Sequence, residues 1–494
     1  MSQAVVRTLL GAAVPGLGFI MGGRKRLGVA VLSVAVGLVA IAGIVAVTDP
    51  NAVLALAVSP GRLLIATSAV VLLGLGWIWV VVASHKLLRP VSVSYTGRLA
   101  GSLFVGVLCF AIAVPTTFAA ETVMAQRDLV GSVFKSESNS KSATRPTNVN
   151  ASDPWAHTPR LNVLLLGGDS GKGRTGTRTD TVMVASIDTR TGNTALISLS
   201  RNWMRMPFPK NSPLHAKYPD GYWDPSLGDV EQSQYYLDTM YDTIPQKYPG
   251  ILGQTDNEGA DAVKLAASAA LGLDISYYLQ INLQGFQQII DAVGGITVNI
   301  NYRVPIGGEY GLGPGANKPK PPSGYLEPGP NQHLNGHDAL WFARGRYGLS
   351  DPSRQERQRC TIHALVNQVS PVTLLTKYQQ IAAAGKSLFR TDVPQELLPA
   401  FVQLGLKVKS AAVSNIDLNS AKNFPNGRNP DYAAMRVIIQ KAITAQATTK
   451  PAHSPAKRPS APATRKATPK PSVTPGGQQN LNDACAYHPS TAGS

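Results

Sequence analysis

Two acidic residues flank a glycine-rich loop in the middle of the 494-residue chain. Asp169 follows the apolar run 161–168, and Asp180 precedes the apolar run 181–188. If these runs are neighbouring strands, loop closure brings both carboxylates to one sheet edge, where they repel unless they are protonated or bridged by a cation. Mg²⁺ commonly binds one or two carboxylates together with phosphate oxygens. By spacing alone, both acids fit turn capping or pairing with arginines of the loop equally well.

The loop also contains GGDSGKG, which superficially resembles a nucleotide-binding loop. A Walker loop requires G-x-x-x-x-G-K-[ST]. Leu166 stands where that pattern needs its first glycine, and Gly173 stands where it needs a hydroxyl residue. Because both ends fail, we exclude an NTPase.

Arginines recur at the ends of predicted elements further along the chain. Arg201 follows a predicted strand, Arg344 and Arg346 end a predicted helix, and Arg354 and Arg357 open the next one. On one face of a first helical turn, positions 354 and 357 would repel each other and oppose the helix dipole. Segment 343–359 carries arginines and no lysine. Arginine binds phosphate through a planar fork, which favours phosphate recognition over a solvated basic face.

Three apolar runs precede these motifs, at residues 27–47, 63–83 and 99–119. Each is long enough to cross a bilayer as a helix. Basic residues before the first run and between the second and third place those segments in the cytoplasm, so residues from about 125 onward are expected outside the cell. The segment 9–23 is short and broken by Pro15, which predicts a re-entrant or interfacial piece, with a fourth span as the alternative.

The formal net charge of +17 suits a nucleic acid or another anionic partner. A single-strand binder would interleave aromatic residues with the basic ones, whereas only Tyr347 does so in the arginine segment. Since the domain is also expected outside the cell, we expect no nucleic-acid partner.

The composition divides the chain into four parts. They are a transmembrane region of three or four spans (1–125), a polar tether (126–160), a globular domain (161–445) and a disordered basic tail rich in Pro, Ala, Lys and Thr (446–494). In the globular domain, strand patterns alternate with helical ones, which predicts an α/β (mixed α+β) fold with a helix-flanked mixed sheet. Residues 303–332 are rich in Gly and Pro and are expected to form a long loop.

Four segments resemble, in order, the LytR-CpsA-Psr (LCP) family: NVLLLGGDSGKGRTGTRTDTVMVASID, ISLSRN, YYLQINLQGFQQIIDAVGGITVNI and HLNGHDALWFARGRYGLSDPSRQERQ. The several membrane runs resemble its actinobacterial multi-span type. The resemblance implies a multi-pass cell-membrane protein whose large domain has a hydrophobic groove for lipid. It also implies an enzyme that transfers a phosphoglycosyl chain from a polyprenyl-pyrophosphate carrier to a muramic acid hydroxyl of peptidoglycan, forming a phosphodiester.

The resemblance also implies residue roles. Asp169 and Asp180 correspond to the family's metal-binding acids, so Mg²⁺ (or Mn²⁺) is the implied cofactor. The implied pyrophosphate-binding residues are Arg178, Arg201, Arg344, Arg354, Arg357 and Gln358. Arg346 is a weaker candidate, because a residue two positions from Arg344 on a helix should point elsewhere. The implied catalytic residues are Asp180, Arg201, Arg344 and Arg354. The general base is open between Asp180 and a metal-bound acceptor oxygen. Asn202 stands where the family usually has an acid.

Three cysteines are too few for a disulfide scaffold. Cys109 lies in a predicted span, which leaves Cys360 and Cys485 as the plausible pair. Outside the membrane they would form a disulfide between the arginine-bearing helix and the chain's end; two free thiols are the alternative.

We therefore expect a Mg-dependent glycopolymer–peptidoglycan phosphotransferase. Two other hypotheses remain open. In one, the arginines hold a lipid-linked glycan or the wall without any transfer. In the other, the chain is a pyrophosphatase that acts on the polyprenyl-pyrophosphate carrier.

Overall fold

The computed structural model describes residues 2–89, 94–147, 149–168, 178–309, 320–369, 373, 377, 389–418, 427–448, 473–474 and 478–488. The chain forms two compact units, residues 1–132 and 133–494. The loop that contains Asp169 lies outside the described residues.

The helices are α1 (Ser2–Ala13), α2 (Leu17–Met21), α3 (Lys25–Thr48), α4 (Pro50–Ala57), α5 (Pro60–Leu88), α6 (Tyr95–Val133), α7 (Pro213–Lys217), α8 (Leu237–Lys247), α9 (Glu258–Leu271), α10 (Leu283–Ala292), α11 (Gly336–Arg344), α12 (Asp351–Gln368), α13 (Leu398–Lys409), α14 (Tyr432–Thr448) and α15 (Leu481–Ala484). The strands are β1 (Arg160–Gly168), β2 (Thr179–Asp188), β3 (Thr194–Leu199), β4 (Ile275–Asn282), β5 (Ile296–Ile300), β6 (Val304–Glu309), β7 (Lys320–Leu326), β8 (Gly329–Leu334), β9 (Phe389–Thr391), β10 (Val413–Ile416), β11 (Val473–Thr474) and β12 (Gln478–Asn480).

The first unit contains three helices that are long and apolar enough to cross a membrane, namely α3, α5 and α6. Each includes one of the predicted runs. The N-terminal apolar segment forms α1 and α2 instead, and α1, with 12 residues, reaches only about 18 Å. That is shorter than a hydrocarbon core of about 30 Å. The helix α1 packs on α5, where Trp77 Nε1 donates to the carbonyl of Ala12 at 2.9 Å.

The second unit is built on an eight-stranded mixed sheet of order β11-β12-β10-β3-β2-β1-β4-β9. The central strand β1 pairs antiparallel with β2 and parallel with β4, and β10 pairs parallel with β3. The predicted mixed sheet is thereby confirmed.

Helices cover both faces of this sheet. Successive side chains of a strand point to opposite faces: Leu164 joins the larger core, with residues of α8, α9 and α14, and Leu165 packs against the smaller one, with Ile362 of α12 and Leu481 of α15. Burial of both faces explains why β1, β2 and β3 are continuous apolar runs rather than alternating ones.

A separate core fixes the helices that carry the arginines. Ile290 of α10, Ile296 of β5 and Phe342 of α11 are buried together with Ala364 of α12. The paired strands β5 and β8 contribute residues to this cluster. The positions of α11 and α12 are therefore set by buried apolar contacts rather than by the charges they bear.

The prediction of a long loop over residues 303–332 is wrong for residues 304–309, 320–326 and 329–332, and residues 310–319 lie outside the described residues. The structure has β6 and β7 there, paired antiparallel, and the start of β8. Proline is tolerated because β6 and β7 form a two-stranded ribbon, in which each strand has a free edge that needs no N–H. Pro305 and Pro322 lie within it.

The polar segment expected as a tether makes specific contacts within the second unit. Asp256 donates its backbone N–H to the Lys141 carbonyl at 2.8 Å. The buried carboxylate of Asp261 accepts from Ser142 Oγ at 3.1 Å and from the backbone N–H of Ala143 at 3.0 Å. The polar composition therefore reflects hydrogen bonding to the domain rather than solvation alone.

The expectation of a disordered tail over 446–494 needs correction for residues 446–448, 473–474 and 478–488, while residues 449–472, 475–477 and 489–494 lie outside the described residues. The helix α14 continues to Thr448, and β12 pairs antiparallel with β10. Leu481 of α15 is buried, and Cys485 forms a disulfide with Cys360 of α12. A low-complexity sequence cannot fold by itself, but this covalent link and the burial of Leu481 hold residues 478–488 on the domain.

Candidate active site

A cavity of about 790 Å³ opens at one edge of the central sheet. Because β1 and β4 are parallel, their C-terminal ends meet at this edge, at Gly168 and Asn282. The antiparallel β2 begins there with Thr179 and Asp180, and β3 ends there two residues before Arg201. The topology thus brings together residues that the sequence separates.

Most of the wall of this cavity is apolar. Its apolar side chains include Leu279 and Ile281 of β4, Phe286 and Ile289 of α10, Leu340 and Trp341 of α11, and Ile362 and Leu365 of α12. A wall of this kind suits a hydrocarbon chain, since covering it removes apolar surface from water.

Arg201 lies between two carboxylates in the polar part of the cavity. Its Nη1 atom is paired with Asp180 Oδ1 and lies 3.8 Å from Asp238 Oδ2. The Asp180 side chain is 25% exposed, whereas that of Asp238 is 5% exposed. Of the two acids, Asp180 is therefore the one that an incoming ligand can reach.

Asp238 was not identified from the sequence. It stands in the first turn of α8, whose backbone N–H groups at Leu237 and Asp238 donate to the carbonyls of Trp203 and Arg201, both at 3.0 Å. Burial raises the pKa of Asp238, Arg201 opposes the rise, and Asp180 adds to it. The Oδ1 atom is buried without a partner among the described residues.

Arg344 and Arg346 both line the cavity. The sequence argument that a helix would turn Arg346 away from Arg344 does not apply, because α11 ends at Arg344 and Gly345 leaves the helical conformation with φ −53° and ψ 126°. Extended backbone after the helix allows both guanidinium groups to face the same space.

Arg354 and Gln358 enter the cavity from α12. The helix begins at Asp351, whose Oδ1 atom pairs with Arg354 Nη2 at 2.7 Å. An acid in the first turn offsets the dipole penalty expected for a cation there. Arg354 is 3% exposed, and its Nε atom is buried without a partner among the described residues.

Among the described residues that line the cavity, arginines outnumber carboxylates. Burial lowers the pKa of Arg344, Arg346 and Arg354, and Asp180 partly reverses this for each of them. Burial therefore disfavours the charged guanidinium groups relative to water. A bound polyanion would restore the balance, and arginine's fork suits phosphate oxygens.

Two predicted phosphate ligands, Arg357 and Arg178, are not among the described residues that line the cavity. Arg357 is buried beside Tyr302, and its Nη2 atom donates to the carbonyl of Gly345. Three positions beyond Arg354, its side chain projects towards the joint between α11 and α12, so its predicted role in pyrophosphate binding stays a prediction that the shape of the cavity does not support. Arg178 is exposed at the end of the undescribed loop and is not among the described residues that line the cavity.

The donor set for a metal is present only in part among the described residues. Asp180 offers a carboxylate at the cavity, and the described part of the chain contains no group of three or more His, Cys, Asp or Glu side chains. Mg²⁺ often binds one or two carboxylates plus substrate phosphate and water. One carboxylate beside a cluster of arginines that could bind phosphate fits that pattern, while Asp169 lies outside the described residues.

Comparison with known proteins gives one family model, described as the LytR_cpsA_psr family, which matches residues 127–448. An Enterococcus faecalis protein named polyisoprenyl-teichoic acid–peptidoglycan teichoic acid transferase TagU is 28% identical over 52% of this chain and 67% of its own length. The Corynebacterium glutamicum cell wall biosynthesis protein LcpA is 27% identical over 48% of this chain and 45% of its own. Among solved structures, protein gbs0355 of Streptococcus agalactiae aligns with a TM-score of 0.41 at 21% identity, covering 64% of this chain and 94% of that one.

Proposed function

The chain belongs to the LytR_cpsA_psr family, and on that premise we propose that it is a phosphotransferase which attaches a glycopolymer to peptidoglycan. The donor is a glycan on a polyprenyl-pyrophosphate carrier, and the product is a phosphodiester. The chain spans 67% and 45% of the two relatives compared above, so its substrates are part of this proposal.

One observation supports the proposal above all others. A single cavity combines an apolar wall from β4, α10, α11 and α12 with the guanidinium groups of Arg201, Arg344, Arg346 and Arg354. A lipid pyrophosphate is a ligand that needs both surfaces, because its chain is apolar and its head carries several negative charges. A water-soluble phosphate would leave the apolar wall unused.

The transfer follows from this arrangement. The acceptor hydroxyl oxygen forms a bond to the phosphorus that carries the glycan, and the bond from that phosphorus to the bridging oxygen breaks. Polyprenyl phosphate leaves and carries away the charge of the broken bond, and the hydroxyl proton is lost, with Asp180 as the candidate base among the described residues of the cavity. Arginines placed before the reaction stabilise the charge that develops on the phosphoryl oxygens.

A divalent ion is part of the proposal. Asp180, with Asp169 from the undescribed loop, would hold Mg²⁺ or Mn²⁺, which when bound neutralises phosphate charge and orients the transferred group. The chain's own residues orient the arginines that bind phosphate: Asp180 forms an ion pair with Arg201, and Asp351 forms one with Arg354.

We also propose that the second unit lies outside the cell, anchored by α3, α5 and α6. Peptidoglycan is outside the membrane, and the basic residues of the first unit favour that orientation.

Deletion in the native bacterium tests the function. Purified peptidoglycan should lose a phosphodiester-linked polymer, and the wild-type chain should restore it. Asp180→Ala should fail to restore it although the protein accumulates normally, whereas Lys210→Ala, an exposed control, should restore it fully. Unchanged wall phosphodiester after deletion would argue against the proposal.

A further inference from the structure

A second, smaller pocket of about 250 Å³ lies beside the segment that follows Arg201. Phe208 and Tyr432 contribute to its lining, together with the polar side chains of Arg205, His215, Asp220 and Asn429. The segment 201–205 connects it to the first cavity, and four extended residues span at most about 14 Å. The backbone of Arg205 at this pocket therefore lies within about 14 Å of that of Arg201, a distance that a few linked sugar rings can cover.

Arg205 is held firmly at this pocket. Its backbone has φ 52°, a left-handed conformation that is uncommon outside glycine. Its guanidinium carbon lies 3.7 Å from the centre of the Trp223 ring, and Nη2 pairs with Asp229 Oδ1 at 2.7 Å. The Nε atom is buried without a hydrogen-bond partner among the described residues. Such strain persists where the surroundings over-determine it, and it concentrates at functional sites.

The polar set is mixed in charge and in hydrogen-bonding role. Arg205 only donates, Asp220 only accepts, and Asn429 and neutral His215 do both. Asp220 would repel a phosphate or carboxylate, and Arg205 would repel an amine. A neutral group with many hydroxyls matches this set, because each hydroxyl both donates and accepts. The volume, below that of a drug-sized site, suits one ring.

We propose that this pocket binds one sugar ring of a glycan chain whose reacting group lies at Arg201. The inference rests on the proposed function, which places two glycans near Arg201, one on the donor and one in peptidoglycan. Hydroxyls of the ring pair with Asp220 and Asn429 at the exposed side of the pocket and with Arg205 at its inner side. The site thus selects a hydroxylated polymer in addition to the lipid pyrophosphate.

Binding of chitotetraose, a neutral soluble glycan, to the full-length chain in nanodiscs tests the pocket without any transfer. Calorimetry should detect binding to the wild type. The double variant Asp220→Ala/Asn429→Ala should bind about tenfold or more weakly, as expected for two lost hydrogen bonds. The matched pair Glu231→Ala/Asn211→Ala, exposed residues of the same region that do not line the pocket, should bind like the wild type. Because both altered residues of the test variant are exposed, its fold should be retained, which circular dichroism checks.

Transfer kinetics then distinguish the two glycans. A raised KM for a peptidoglycan fragment in the double variant assigns the ring to the acceptor, and a raised KM for the lipid-linked glycan assigns it to the donor. The inference would be overturned if both variants bound chitotetraose equally or if the wild type did not bind it. It would also be overturned if a free stem peptide were the only competitor that displaced the bound chitotetraose. If chitotetraose binds as expected but no transfer product forms, the proposed function fails and the sugar pocket stands.

Discussion

Arg354 is the residue whose loss should affect transfer most directly. Its guanidinium group is buried at the cavity and oriented by Asp351 at 2.7 Å. We expect Arg354→Ala to lower kcat/KM by at least about a hundredfold, since removing a positioned donor to developing charge costs about 2.7–4 kcal/mol. Arg354→Lys should recover little, because lysine lacks the planar fork. Arg190→Ala, an exposed control, should retain full activity; similar activity in Arg354→Ala would remove the site assignment.

Asp238 is expected to act through Arg201. The isosteric change Asp238→Asn removes one of the two carboxylates beside Arg201, so kcat/KM should fall about tenfold, which corresponds to about 1.4 kcal/mol. The thermal midpoint at neutral pH should not fall, because burial disfavours the charged carboxylate. Asp242→Asn, the same change one turn further along α8 at a residue that does not line the cavity, serves as the control. Parallel losses of activity and stability would indicate a purely structural role for Asp238.

At the scale of elements, α12 is expected to contact both the pyrophosphate and the lipid chain of the donor. Its first half carries Arg354 and Gln358, and its second half contributes Ile362 and Leu365 to the apolar wall. We expect Leu365→Glu to raise the KM of a long-chain polyprenyl donor at least about tenfold, because a charge placed against hydrocarbon is costly. A water-soluble donor with a short chain should be unaffected. Asn367→Glu on the exposed side of the same helix should change neither value, and equal loss with both donors would contradict a lipid-binding wall.

The disulfide joins α12 to the chain's end across 125 residues. Replacing Cys360 and Cys485 by serine should lower stability by about 2–5 kcal/mol and release residues 478–488 to protease. A thermal midpoint equal to that of Cys109→Ser would show that the link is dispensable.

Some elements were predictable and others were not, for physical reasons. Continuous apolar runs identified β1, β2 and β3 because both faces of those strands are buried. Ribbon strands β6 and β7 were missed because free edges tolerate Pro and Gly, which composition alone attributes to a loop. The end of a helix determines where two arginine side chains lie. Because α11 ends at Arg344, Arg346 can line the cavity, whereas Arg357 donates a hydrogen bond to the carbonyl of Gly345 just after that helix. No sequence pattern around Asp238 indicates that it belongs to the site, because its contact with Arg201 depends on how residues 203–236 fold back.

At the scale of the whole molecule, the proposed transfer makes the donor phosphate part of the cell wall. The most direct measurement uses the full-length chain in nanodiscs with Mg²⁺, peptidoglycan oligomers and a lipid-linked glycan whose glycan-proximal phosphate is radiolabelled. We predict that the label appears in the peptidoglycan fragment as a phosphodiester, with unlabelled polyprenyl phosphate released, and that chelation of Mg²⁺ prevents this. Label that remains in intact bound lipid would identify a binder, and label released as water-soluble sugar phosphate or inorganic phosphate would identify a hydrolase; either result would contradict the account.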